Sequence, residues 1–215
     1  TRLIGAIILT HGDDKGLRLP PKIAPVQIVI IPISKNDEDE NAIKLYLSST
    51  IKSLKMEGIK IHVDWTNNTP GYKFNEWEMK GVPLRMEVGP RDIANDKVVL
   101  VRRDLGEKMF LSKKDILTVV PQLLEKIQTN LYNQAKEFRD INTYSVSSYD
   151  EFCSIMKTGG FIRCGWDGSD KTELKIKEET KATIRCIPFD EKPEGKHCIL
   201  SGKPAKHEVI FAKAY

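Results

Sequence analysis

The chain has 215 residues, with 34 lysines and arginines against 30 aspartates and glutamates, a formal net charge of +4, and 40% hydrophobic residues. That length suits one large or two small domains, and 40% hydrophobic with 30% charged residues excludes both a disordered tail and a membrane-embedded protein. No stretch approaches the roughly 20 apolar residues that span a bilayer and none has a signal-peptide core, which makes the cytoplasm the expected compartment; the small positive charge permits contact with nucleic acid without requiring it.

The chain begins at Thr1 rather than Met and runs at once into the apolar stretch Ile4-Gly5-Ala6-Ile7-Ile8-Leu9. This stretch reads as a strand, and as the cut end of something longer. A turn at His11-Gly12-Asp13-Asp14-Lys15-Gly16 follows, then Leu19-Pro20-Pro21, extended because each proline biases its predecessor away from helix. Val26–Ile33 is a near-continuous β-branched run suited to a strand buried on both faces. The acidic stretch Asn36–Glu40 suits a helix start, where carboxylates meet the positive end of the dipole. Ile43, Leu47, Ile51 and Leu54 then recur at helical spacing, and residues 59–63 and 98–101 read as further strands. Such alternation makes an α/β layer on a parallel or mixed sheet.

Ser112–Asp115 has a capping-box-like pattern, before a helix with Pro121 in its first turn that continues through Leu123, Ile127, Leu131, Ala135 and Phe138. Ser148 caps a short helix that Gly159-Gly160 ends, and a helix near 174–179 precedes short strands around 184–189 and 208–212. There is no internal repeat.

Pro70–Asp92 carries the most chemistry. In the strand Leu84–Val88 the apolar Leu84, Met86 and Val88 alternate with Arg85 and Glu87, which places the charged pair opposite the core. Gly89-Pro90 sets Arg91 and Asp92 on a short helical turn, and Glu78 on the preceding helix leans over the strand, with Phe74 and Trp77 nearby. An unpaired guanine presents donors on one edge and acceptors on another, and a site that reads it wants carboxylates, arginines and a stacking ring together. A surface ion-pair network is the competing reading.

Other residues suit plainer roles. His11 reads as a locally bonded turn residue, Asp13 and Asp14 as capping groups, and Arg102-Arg103 as a solvated strand end, with phosphate contact as the alternative. The four cysteines, at 153, 164, 186 and 198, have no CxxC pair and read as reduced, mostly buried thiols.

Three blocks agree in a resemblance. Thr1-Arg2 with Ile8–Leu17, then Pro70–Asp92, then the ending Phe211-Ala212-Lys213-Ala214-Tyr215 together resemble the C-terminal half of prolyl-tRNA synthetases of the archaeal/eukaryotic-like type, in order and over essentially the whole chain. The resemblance implies a mixed α/β anticodon-binding fold followed by a small α+β domain. The implied division is the end of a class II catalytic domain at 1–23, an anticodon-binding domain at 24–117 and the C-terminal domain at 118–215. It implies that Arg2, with Thr1, lies at the ATP site, that Glu78, Arg85, Arg91, Asp92 and Phe74 read the anticodon, and that Tyr215 folds back toward the active site. The parent would be a homodimer using ATP with Mg, proline and tRNA(Pro), and this portion alone would be inactive in aminoacylation. A stand-alone anticodon-type RNA-binding module and a small-molecule-binding α/β domain are the rival readings.

Many members of that family hold zinc in the C-terminal domain through a C-x4-C and a C-x2-C pair. Here Ser169 follows Cys164 and Ser201 follows Cys198 at the second position of each pair, so no zinc is expected; His197 and His207 with the two cysteines are the alternative, mixed site.

Overall fold

The computed structural model describes residues 2–213, which gather into two compact units, one ending at Ala135 and one starting at Lys136. No helix among the described residues is long and apolar enough to cross a membrane.

The first element corrects the sequence expectation. Arg2–His11 is a helix, α1, not a strand, and it leaves Leu3 and Leu9 81% and 72% exposed. A continuous apolar run fits either state by pattern alone. Without a neighbouring strand to pair its backbone, such a segment satisfies its amides within itself as a helix. Gly12 ends it by donating to the Ile8 carbonyl at 2.8 Å.

The first unit is built on a five-stranded sheet. Its strands are β1 (Ile28–Pro32), β2 (Ile61–Val63), β3 (Leu84–Val88), β4 (Lys97–Arg102) and β5 (Lys108–Ser112), in the order β2-β1-β3-β4-β5. β1 pairs in parallel with β2 and β3, while β4 is antiparallel to both its neighbours, so the sheet is mixed as expected. β1 is buried throughout. The connecting helix α2 (Asp37–Met56) starts as the acidic run predicts, with Asn36 accepting from the Asp39 amide at 2.8 Å, and it buries Ile43, Leu47 and Leu54. Helix α3 (Pro70–Met79) is capped by Thr69, and the short α4 (Pro90–Ala94) links β3 to β4.

Helix α5 (Ile116–Ile141) differs from its expected start. A 3₁₀ turn at Lys113–Asp115 comes first, Ser112 makes no side-chain cap, and Pro121 sits inside the helix rather than in its first turn. The amide that Pro121 lacks would have met the carbonyl of Leu117, a residue at the solvent face, where water can replace it. Ile116, Val120, Leu123, Leu124, Ile127 and Leu131 pack with α2 on the sheet face made by Ile28, Ile30, Leu84, Met86 and Leu100.

The second unit has a four-stranded sheet of β6 (Thr143–Ser145), β7 (Phe161–Trp166), β8 (Ala182–Cys186) and β9 (His207–Lys213), in the order β6-β7-β9-β8, with helices α6 (Tyr149–Thr158) and α7 (Asp170–Thr180). Ser148 caps α6, and Gly159 at φ +97° ends it. Phe152 and Phe211 meet edge to face at 5.4 Å in a core shared with Met156, Ile162, Ile176 and Val209. β8 stops at Cys186, short of the expected Phe189, because the register against β9 shifts between Ile184 and Cys186.

Candidate nucleic-acid interface

The sheet of the first unit has a second face, and on it lies the charged alternation of β3. Cross-strand pairing puts Val29, Arg85, Val101 and Lys108 in one row and Ile31, Glu87, Val99 and Phe110 in the next. Helix α3 covers the β1 side of this face, where Phe74 and Trp77 pack against Val29, Ile31 and Val82. On the β5 side Phe110 is 70% exposed.

The guanidinium of Arg85 is held from two directions. Its Nε donates to Glu87 Oε1 at 3.0 Å, its Nη2 lies 2.9 Å from the same oxygen, and its Cζ lies 4.3 Å from the centre of the Phe74 ring. The ring fixes the plane of the fork, and the carboxylate fixes its direction. Glu87 is only 7% exposed, with Lys108 Nζ at 4.0 Å from its other oxygen. A cleft of about 200 Å³ opens beside this pair, lined among others by Lys15, Trp77, Glu78, Arg85, Arg103 and Lys108.

Glu78 reaches the cleft from the last turn of α3, its carboxylate 3.3 Å from Lys15 Nζ. Lys15 is brought there by the segment Gly16–Leu19, whose amides at Leu17 and Leu19 donate to the Met79 and Gly81 carbonyls at 3.0 Å. Two glycines permit that approach. A Cβ on Gly16 (φ +126°) would lie 2.6 Å from the Met79 backbone, and one on Gly81 (φ +73°) would lie 2.6 Å from Leu17.

Arg102 and Arg103 are not a solvated strand end. Arg103 grips Asp13 with both terminal nitrogens, at 2.6 and 2.8 Å, and donates its Nε to the Glu78 carbonyl at 2.9 Å. Arg102 pairs bidentately with the buried Asp104, which also accepts from Asn130. Asp13 is thus more than a turn cap: the hydrogen bonds from Arg103 hold its carboxyl down at about 2. His11 takes part through its carbonyl, which accepts from Arg18 at 2.8 Å.

Asp64 was invisible as a site residue in the sequence. Its carboxylate accepts from Trp77 Nε1 at 2.7 Å and from the Thr66 hydroxyl at 2.6 Å, while buried Lys73 donates to its carbonyl at 2.9 Å. Burial pulls its pKa up, but these hydrogen bonds outweigh it and the net shift is downward. The cluster locks α3, and with it Phe74 and Glu78, against the sheet. The only local signal is the Asp64-Trp65-Thr66 spacing of an Asx turn.

The structure therefore brings Glu78, Arg85 and Phe74 together, and it sets Arg91 and Asp92 apart, beyond the opposite end of β3. Asp92 accepts from the Gly89 amide at 2.8 Å, and Arg91 is exposed on α4. Arg2 is exposed on α1. Thr1 and Tyr215 lie outside the described residues.

In the second unit, Cys164 and Cys198 are buried, and burial pushes the Cys164 thiol up to about 12. Asp167 occupies the serines instead: it accepts from the Ser201 hydroxyl at 2.7 Å, the Thr172 hydroxyl at 3.0 Å and the Ser169 amide at 3.0 Å. His207 faces Glu191 at 3.3 Å. Zinc takes thiolates, imidazole nitrogens or carboxylates; with the Ser201 hydroxyl and the Ser169 amide both bonded to Asp167, the four-thiolate set is reduced to Cys164 and Cys198 and does not fit it. Among the described residues no group of three or more His, Cys, Asp or Glu is placed to hold a metal.

Residues 27–123 match the family described as anticodon binding domain, and residues 149–215 match the one described as prolyl-tRNA synthetase, C-terminal. The whole chain is 49% identical to 44% of a proline–tRNA ligase of Amoebophilus asiaticus. It is 48% identical to 44% of one from Bacteroides fragilis, and 45% identical to 41% of the chloroplastic/mitochondrial proline–tRNA ligase of Arabidopsis thaliana. The chain thus spans less than half the length of these relatives.

Proposed function

Since this chain belongs to the prolyl-tRNA synthetase family and corresponds to the C-terminal part of its members, we propose that it supplies tRNA(Pro) anticodon recognition to an enzyme that activates proline with ATP and Mg and ligates it to tRNA. The observation that carries this reading is the cleft beside Arg85, where a carboxylate, a stacked guanidinium and an aromatic ring converge. Proline anticodons end in two guanines. Glu78 accepts from the N1–H and N2–H of one, and Arg85 donates to the O6 and N7 of a guanine, with its fork held flat by Phe74 and aimed by Glu87. Arg91 and Asp92 contact the same loop from the far end of β3. That match is to proline–tRNA ligases along the full chain, which does not favour a stand-alone RNA-binding module.

The rest of the reading concerns the parent enzyme. Residues 1–23 complete its catalytic domain, with Arg2 and Thr1 at the ATP, residues 24–117 bind the anticodon, and 118–215 form the C-terminal domain, with Tyr215 directed to the active site. The parent works as a cytoplasmic homodimer. The ATP–Mg pair supplies the activated phosphoryl chemistry; what this chain's residues do is select and orient the tRNA.

The test is binding of this chain to a tRNA(Pro) anticodon stem-loop and to one with both guanines replaced. The native loop should bind more tightly, and Arg85→Ala should erase about 1–3 kcal/mol of that preference. Equal affinity of the wild-type chain for the two loops would sink the assignment.

A further inference from the structure

Phe110 is an aromatic ring on the edge strand of the sheet, on the same face as the candidate anticodon site, and it has no role there so far. Its row mates Glu87 and Val99 are buried, yet Phe110 itself is 70% exposed. Among the described residues it enters no aromatic or cation–π pair, unlike Phe74, whose face is taken by Arg85. Edge strands ordinarily present charge or proline to water, and an exposed phenyl ring there is free to meet a partner from outside the fold.

The surroundings say what kind of partner. Lys108, two residues before Phe110 and on the same face, lines the cleft with Arg85, and Arg103 and Lys15 add further cationic groups to its wall. An apolar ring one row beyond the lysine of a cation-lined cleft complements a single-stranded nucleic acid, whose bases have π faces and whose backbone is anionic. β3 and β5 are two strand spacings apart, about 10 Å. A base read by Arg85 therefore cannot also lie on Phe110, but its neighbour along the same loop can.

Resting on the anticodon reading above, we infer that Phe110 is the stacking platform for the unpaired nucleotide adjoining the guanines, with Lys108 beside it for the connecting phosphate. Stacking is indifferent to base identity, so Phe110 contributes affinity without sequence preference, in contrast to Arg85.

The experiment uses this chain with a tRNA(Pro) anticodon stem-loop carrying a fluorescent purine analogue beside the guanines. The Kd is measured for wild type, Phe110→Ala, Phe110→Leu, Phe110→Trp and Arg85→Ala, each against the native loop and a loop with both guanines replaced. Phe110→Ala and Phe110→Leu should weaken both loops alike, by roughly 5- to 100-fold. They should also relieve the quenching of the analogue, and Phe110→Trp should restore both. Leucine keeps the bulk without the π face, so loss in that variant separates stacking from folding. If the alanine and leucine variants bind as wild type while Arg85→Ala loses the guanine preference, this inference is overturned and the anticodon reading stands. Unchanged RNA binding together with altered self-association of Phe110→Ala overturns it as well, and assigns the ring to a second copy of the chain. If the wild-type chain does not distinguish the loop from an unrelated hairpin, the anticodon reading fails and takes this inference with it.

Discussion

Each unit buries one glutamate in a central strand and pairs it with an arginine, and the two pairs have opposite fates. Glu208 on β9 accepts from Arg163 at 2.7 Å, from Lys196 and from the Lys192 amide at 3.1 Å, while Arg163 also reaches the Asp190 carboxylate and carbonyl. Every strong donor near that carboxylate is used inside the fold. Glu87 on β3 has Arg85 close by and Lys108 only at 4.0 Å, and Arg85 faces a cleft with its fork still able to donate. A buried charge saturated by internal partners is a structural tie. One that orients a cation toward an opening is machinery for a ligand.

The largest expected effect lies on the saturated side. Burial pulls the Glu208 carboxyl up, but hydrogen bonds from Arg163 and Lys196 hold it at about 2 against its ordinary 4.5. Because the folded pKa is depressed, the stabilisation is complete above about pH 4.5 and is lost as pH falls toward 2. At neutral pH Glu208→Gln should therefore destabilise the chain by roughly 2–3 kcal/mol, read as a lower denaturant midpoint and faster amide exchange in β7 and β9. Glu87→Gln should cost less stability than that and should instead weaken guanine discrimination. Equal stability losses for the two variants would break the comparison.

Next comes Arg85→Ala, which should lose the guanine preference and lower stability by less than Glu208→Gln does, because the Glu87 carboxylate left behind is buried but keeps Lys108 at 4.0 Å. A stability loss as large as that of Glu208→Gln would make Arg85 a structural residue and remove the contrast.

What was legible in the sequence divides along similar lines. β1, α2 and the alternation of β3 were readable because their signals are local: β-branched runs, an acidic cap and a period of two. Glu78, Arg85 and Phe74 could be gathered because they lie within a dozen residues on one helix–strand unit. The first helix was misread because the continuous apolar run Leu3–Leu9 carries no period, and its strand form lacked a partner to pair with. β5 and β7 went unseen because Lys108–Ser112 does not alternate and Phe161–Trp166 is interrupted by Arg163 and Gly165. Arg103 was missed because its partner, Asp13, is 90 residues away, and Asp64 because its work is done on Trp77 across a loop.

Asp167 ties together the two serine positions of the second unit. Its carboxylate joins the Ser201 hydroxyl to the start of α7 through Thr172 and Ser169, and burial against three hydrogen bonds leaves its pKa lowered. Asp167→Ala should cost about 1–2 kcal/mol and release the 198–206 segment to proteolysis, because two hydroxyls and an amide lose their acceptor. Elemental analysis of the purified chain should find no stoichiometric zinc; a full equivalent would mean that the cysteines, not Asp167, hold that segment.

The smallest effect is expected at Asp13 and Arg103, which share features of both sides of the comparison. The pair is bidentate like an internal tie, yet Asp13 stands at a solvent-facing turn, and Arg103 lines the cleft. Solvent screening limits its worth, so Asp13→Asn should lower stability by less than about 1 kcal/mol at neutral pH. The pair's role would instead be positional, since Arg103 also holds the last turn of α3 through the Glu78 carbonyl. With the Asp13 pKa at about 2, below its ordinary 3.8, the difference between wild type and Asp13→Asn should be constant above pH 4 and vanish as pH falls to 2. A gap that persists at pH 2 would show that the variant acts through the turn backbone, where Asp13 accepts from the Lys15 amide at 3.0 Å, rather than through the charge on Arg103.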